Sequence, residues 1–181
     1  MAQISLNALM GTVSPSYPED MATPFREELT QAGFEQLTTA EEVEQALNKK
    51  DGKIVLAMLN SVCGCAARAA RPGVLLSLFN DVVPDSLVTI FAGMEKEAVA
   101  YFRQNFLPGI TPSSPNIAVF KDGEIIALLQ RPQIEGKSAG EIADELIKTF
   151  NKECNKKNTS KAISEMRSHF IARFQVDPLG A

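Results

Sequence analysis

A chain of 181 residues, 45% of them hydrophobic, is long enough for one domain with a substantial core and too short for two complete ones. Its 18 basic and 22 acidic residues leave a formal charge of -4, which excludes a general electrostatic attraction for nucleic acid or anionic lipid. Three cysteines are odd in number and too few for a disulfide-stapled secreted scaffold, and no apolar run approaches the roughly 20 residues of a membrane span.

The first residues lack the basic start and apolar core of a secretory signal, so the expected location is the cytoplasm. Residues 1–19 mix small polar residues with Pro15, Tyr17 and Pro18 and read as an extended arm. Thr23-Pro24, followed by Phe25, Leu29 and Ala32, predicts a helix capped at Thr23 and ending at Gly33. Residues 34–37 suit an edge strand, after which Thr39 or Thr38 caps a helix with Val43, Ala46 and Leu47 on one face. Residues 54–59 are apolar without alternation, as in a central strand covered on both faces.

A helix over residues 66–79 places Val74, Leu75 and Leu78 on its apolar face, with a kink expected at Pro72. Pro84-Asp85 breaks the chain before a strand at 87–91, and Gly93 precedes a helix bearing Val99, Phe102 and Phe106. Strand, helix, strand, helix implies parallel pairing. Beyond Pro108, Pro112 and Pro115, residues 117–120 and 125–129 flank a tight turn as an antiparallel hairpin. A last core helix over 138–150 carries Ile142, Leu146, Ile147 and Phe150, with Ser138 and Glu141 placed as a capping box. The core domain thus spans 20–154. Residues 155–181 are richer in lysine and arginine and predict a helix with Ile163, Met166, Phe170 and Phe174 on one side. That stripe is suited to packing on the domain, to a dimer interface or to docking a partner.

Chemistry concentrates at Cys63-Gly64-Cys65, between the apolar strand and the following helix. A thiolate there faces the positive end of a helix, which stabilises it. Residues two apart project to nearly opposite sides of a regular helix, so a Cys63–Cys65 disulfide requires Cys63 outside the helix. Gly64 is expected to permit this through backbone angles closed to other residues. Cys63, nearest the orphan amides of the first turn, is the expected nucleophile, and Cys65, two residues further in, the resolving thiol. Ser61 and Arg68 are candidates to tune the pair, one through its hydroxyl and the other through its charge. Pro115, directly before a strand, is the second candidate element of the site.

The order of elements resembles a thioredoxin-type fold, and more closely the bacilliredoxin family. The resemblance rests on Asn60-Ser61-Val62-Cys63-Gly64-Cys65-Ala66-Ala67, Ala70-Arg71-Pro72, Val88-Thr89-Ile90-Phe91-Ala92-Gly93, Ser113-Ser114-Pro115 and Ile134-Glu135-Gly136, and it covers about residues 20–154. It implies an α/β, thioredoxin-like domain, a central mixed sheet flanked by helices, with the N-terminal arm and C-terminal helix as additions. It also implies a thiol–disulfide oxidoreductase that removes bacillithiol, or a similar small thiol, from protein mixed disulfides, with weak disulfide isomerase activity. Catalysis then falls to Cys63 and Cys65, with Gly64, Ser114 and a cis Pro115 contacting substrate. The small thiol is a co-substrate, no cofactor is tightly bound, and the partners are S-thiolated client proteins, with a homodimer as a further expectation. Cys154 matches a cysteine near the family's carboxyl end. Family members often carry a histidine after the arginine matching Arg131, where this chain has Pro132.

Two other readings belong to other classes. Cys63, Cys65, Cys154 and His169 supply the donor types of a zinc site, although single-residue spacing is unusual there. Alternatively, both cysteines are small core residues of a redox-inactive interaction module, against which stands the helix-weakening Gly64. His169 reads most simply as a helix surface residue.

Overall fold

A computed structural model describes residues 14–180, so most of the expected arm lies outside the described residues. At its centre is β2 (Ile54–Asn60), every residue of which is buried. Successive side chains of a strand face opposite ways, and here both faces are covered. Ile54, Leu56 and Met58 enter one core; Val55, Ala57 and Leu59 enter another. That is the physical origin of the unbroken apolar run.

Parallel to β2 lies β4 (Ser86–Phe91), and β1 (Glu35–Gln36) pairs parallel to β4 at the sheet edge. On the other side β5 (Asn116–Lys121) is antiparallel to β2, and β6 (Glu124–Leu129) returns beside it. The strand order is β1-β4-β2-β5-β6. At the tip of the β5–β6 hairpin, Asp122 and Gly123 have φ of 51° and 81°, the pair of positive values that a tight hairpin turn with the right twist demands.

α2 (Ala40–Leu47) and α4 (Lys96–Phe106) cover one face of the sheet, where Val43, Leu47, Phe102 and Phe106 are buried. α3 (Arg71–Ser77) and α6 (Ala139–Glu153) cover the other, joined by Leu29 of α1 (Glu19–Thr30). Capping boxes start α2 at Thr39 and α6 at Ser138, as their sequences imply. The result is the thioredoxin-like architecture, a mixed sheet between two helical layers.

Three local expectations are corrected. α1 begins at Glu19, not at a Thr23 cap, and Pro24 lies inside it. The Thr23 hydroxyl donates to the Glu19 carbonyl at 2.8 Å, and the extra turn buries Ala22 with Phe91 and Met94. Tertiary burial thus outweighs the hydrogen bond lost at the proline. The helix expected over 66–79 divides into a π-helical segment, Ala66–Ala70, and α3. The Arg71 N–H bonds to the Ala66 carbonyl, five residues back, immediately before Pro72, which has no N–H to contribute. A change of helical pitch takes the place of a kink in one ladder. Three short elements have no counterpart in the sequence reading: α5 (Arg131–Ile134), β3 (Val82–Val83) and β7 (Lys156–Lys157), the last two paired with each other.

α7 (Ser160–Phe174) closes the structure, and its apolar stripe packs on the domain. Phe170 is buried edge-on against Phe79, with ring centroids 6.3 Å apart, and Met166 and Phe174 lie against the same core. The Asn158 side chain fastens the approach to α7 by donating to the Leu78 carbonyl at 2.7 Å and the Asn80 carbonyl at 3.1 Å. Among the described residues no helix is long and apolar enough to cross a membrane.

Candidate active site

β2 ends at Asn60 beside the end of β4, where the Ala92 N–H donates to the Asn60 carbonyl at 2.9 Å. The chain then bends at Val62 and Cys63 and enters a helix at Gly64. Cys63 occupies the N-cap. Its carbonyl accepts from the Ala67 N–H at 3.1 Å, and its Sγ accepts from the Ala66 N–H at 3.4 Å. That second bond is the one usually taken by a serine, threonine or aspartate oxygen, so the fold aims an orphan amide at a sulfur. The Ser61 hydroxyl donates to the same Sγ at 3.1 Å, and the Cys65 Sγ lies 2.7 Å away. Both thiols are free and half-buried.

These contacts set the two sulfurs apart electrostatically. Burial pushes the Cys63 thiol up, but the hydrogen bonds from Cys65, Ser61 and the backbone amides of Ala66 and Cys65 outweigh it, and the net displacement is downward. Cys65 moves upward, first through burial and then through its hydrogen bond to Cys63 and the Cys63 charge. The Arg131 charge opposes this only in part. Two thiols this close share one readily lost proton, and the geometry assigns the resulting anion to Cys63.

Gly64 plays a different part from the one its sequence position implies. It lies outside the left-handed region, and a Cβ built on it would meet nothing within 4 Å. Cys63 stays out of the helix because it caps it, a conformation open to any residue. Gly64 itself is exposed between the two half-buried cysteines. Arg68 is exposed, and the arginine charges coupled to the thiols are those of Arg71 with Cys63 and Arg131 with Cys65.

The Ser114–Pro115 peptide is cis, and Pro115 is buried immediately before β5. Asn116 is paired with Leu59, so Pro115 arrives at the end of β2 from which the dithiol loop emerges. Ser114 is half-buried beside it. Arg103 donates to the Ser113 carbonyl at 3.2 Å, and the Ser113 hydroxyl donates to Asn116 Oδ1 at 2.9 Å, fixing this turn.

Behind the loop stands a group that reading the sequence missed. Arg71 is fully buried, its Nε 2.5 Å from Glu28 Oε2 and its guanidinium over the Phe25 ring at 4.9 Å. Its Nη1 donates to the Ser61 carbonyl at 2.9 Å and to Asn60 Oδ1 at 3.1 Å, and Asn60 Oδ1 also accepts from the Ser61 N–H at 2.8 Å. The serine that contacts the Cys63 sulfur is therefore itself held on both sides. An arginine among Ala69, Ala70, Val74 and Leu75, on a helix face otherwise destined for the core, was the available signal.

Cys154 caps α6 far along the chain and is buried, with its thiol pushed up to about 11 by burial and by the charges of Asp85 and Glu153. His169 is half-buried, not a free surface residue, and its Nε2 lies 2.9 Å from the Glu28 carbonyl. Among the described residues no group of three or more histidine, cysteine or acidic side chains is placed to hold a metal ion, so the four donors of the zinc reading are not gathered. Pro132 occupies the first turn of α5, where its missing N–H has no partner to lose.

A family model described as disulphide isomerase matches residues 17–154. A bacilliredoxin from Staphylococcus aureus (strain NCTC 8325 / PS 47) is 46% identical over 141 residues, 78% of this chain and 95% of that protein. A second, from Shouchella clausii (strain KSM-K16), is 44% identical over 147 residues, 81% of this chain and all of that protein. Among solved structures, Fasciola hepatica thioredoxin superposes with a TM-score of 0.44 at 18% identity, covering 65% of this chain and 99% of that one. The extension that carries α7 lies beyond the family match. With 44–46% identity over nearly the full length of those relatives, the chain belongs to the bacilliredoxin family.

Proposed function

We propose that this protein is a cytoplasmic thiol–disulfide oxidoreductase that removes bacillithiol, or a similar low-molecular-weight thiol, from protein mixed disulfides. The observation that carries the reading is the N-cap position of Cys63, where backbone amides, the Ser61 hydroxyl and the Cys65 thiol converge on one sulfur. Thiolate attack needs the anion, and this is where the fold stabilises one. Family membership supports this reading, since the relatives are named bacilliredoxins.

In the first step the Cys63 thiolate attacks the small-thiol sulfur of the client's mixed disulfide. The old sulfur–sulfur bond breaks, the client leaves as a thiolate that takes a proton from water, and the small thiol remains disulfide-bonded to Cys63. While Cys63 is anionic, its charge holds the Cys65 proton in place. Forming the mixed disulfide removes that charge, and the Arg131 field then favours Cys65 ionisation. Cys65 next attacks Cys63 Sγ, the small thiol departs as a thiolate, and a Cys63–Cys65 disulfide remains. Reduction by two equivalents of a thiol or by a dithiol protein restores the starting state. The same nucleophile supports a weak disulfide isomerase activity, in which Cys63 opens a client disulfide and is displaced by another client thiol. Gly64, Ser114 and Pro115 border the space the client chain would enter.

The test is a Cys65→Ser variant mixed with an S-bacillithiolated protein and analysed by intact and peptide mass. The expected result is one small-thiol adduct on Cys63 and a stoichiometric gain of reduced client. Client still fully modified, with Cys63 unadducted, overturns the proposal.

A further inference from the structure

Glu28 is the meeting point of the domain and the C-terminal extension. One oxygen of its buried carboxylate accepts from Arg71, behind the dithiol loop, and the other accepts from Arg173 of α7. α7 also reaches Glu28 through His169, whose Nε2 contacts the Glu28 carbonyl. Arg71 in turn holds the Ser61 carbonyl and Asn60 Oδ1. The chain of contacts runs without a gap from Arg173 through Glu28, Arg71 and Ser61 to the Cys63 sulfur. It begins outside the family match, which ends at residue 154.

We propose that Arg173 is a positioning residue for the dithiol, so that the C-terminal extension sets the reactivity of Cys63 through the Arg173–Glu28–Arg71 cluster. The proposal rests on the reading of Cys63 as the nucleophile. Its physical basis is charge bookkeeping in a poorly solvated place. Arg71 and Glu28 alone are neutral as a pair, and the field of a buried ion pair falls off quickly. With Arg173 added, the three-membered cluster carries one net positive charge. Arg71 and Glu28 are 0% and 3% exposed, so their interaction is weakly screened, whereas Arg173 is 41% exposed and keeps one side in water. Sharing the carboxylate between two guanidinium groups leaves more of the Arg71 charge to act on the Cys63 loop. Among the described residues, other charged groups near the loop include Arg131, felt at Cys65, the exposed Arg68 and, near the end of β4, Arg26 held between Glu95, 2.8 Å away, and Glu19.

The experiment measures the rate of Cys63 alkylation by iodoacetamide against pH, by peptide mass, in the full chain and in Arg173→Gln, Arg173→Lys and Glu28→Gln variants. Circular dichroism establishes that each is folded. Removing the Arg173 charge is expected to lower the alkylation rate about threefold on the acid side of the profile, equivalent to about half a pH unit of displacement. Arg173→Lys keeps the charge and should stay within a factor of about 1.5 of the parent. Glu28→Gln should move the profile the other way, toward faster alkylation, and it decides the matter if Arg173→Gln is unfolded. A merely structural role for Arg173 changes the melting temperature and leaves all profiles superimposed, which overturns the proposal. If Cys63 in the parent protein shows no preferential alkylation, the nucleophile assignment is what fails.

Discussion

Replacing Arg71 by methionine tests whether the buried cluster behind the dithiol is integral to the fold. Methionine approximates the stem of arginine but leaves Glu28, 3% exposed, without its buried partner. Breaking a buried pair by removing one member costs about 3–5 kcal/mol. Glu28 keeps Arg173, so the carboxylate is not orphaned, and the lower end, about 3 kcal/mol, is the expected cost. For a chain of this size that corresponds to roughly 6–12 °C in melting temperature. The assay is equilibrium urea unfolding followed by far-UV circular dichroism, with a thermal melt in parallel. Arg71→Met/Glu28→Leu removes both charges and should recover most of the loss, because apolar replacements of a buried pair are often neutral or better. A loss under about 1 kcal/mol in the single variant would refute the reasoning, since the pair would then not be desolvated as its burial implies. So would a double variant no more stable than the single one.

Ser61→Ala removes one donor from the Cys63 sulfur, worth about 1 kcal/mol to a half-exposed thiolate, and should slow acid-side alkylation of Cys63 roughly fivefold with little change in the melting temperature. Cys154 should resist alkylation at neutral pH in the native protein and react only in denaturant, a contrast read by peptide mass. Cys63 and Cys154 also act on stability with opposite sign. Cys63 ionises more readily folded than unfolded, so its thiolate stabilises the reduced fold at alkaline pH, and that contribution fades as pH falls through the folded value. Cys154 ionises less readily when folded, so its contribution is present at neutral pH and is lost as pH rises from the ordinary thiol range toward about 11. Urea titrations of Cys63→Ser and Cys154→Ser across that range should show the two slopes opposed.

The parts of the fold that were legible in the sequence are those written in local pattern. The apolar run at 54–59, the Asp122-Gly123 turn and the caps at Thr39 and Ser138 each require only a few neighbouring residues, and each element stands where they imply. The start of α1 was not legible, because Thr23-Pro24 imitates a helix beginning while the burial of Ala22 against Phe91 and Met94 depends on a strand some 70 residues away. β3 and β7, two residues each, are too short to show any period. At the site, the dithiol and its place at a strand–helix junction could be read directly. The cluster that supports it could not, since Glu28, Asn60, Arg71 and Arg173 meet only after α1, β2, α3 and α7 are packed. Gly64 shows the reverse error, a glycine whose freedom suggested an unusual backbone and whose φ lies outside the left-handed region.

The proposed chemistry depends on Cys63 being the more acidic of two touching thiols. Brief alkylation of the fully reduced protein with substoichiometric iodoacetamide across a pH series, followed by peptide mapping, measures this directly. Cys63 should be modified first, with a midpoint below that of an unperturbed thiol, and Cys65 later and at higher pH. Cys65 reacting first, or both sulfurs titrating with the same midpoint, would contradict it.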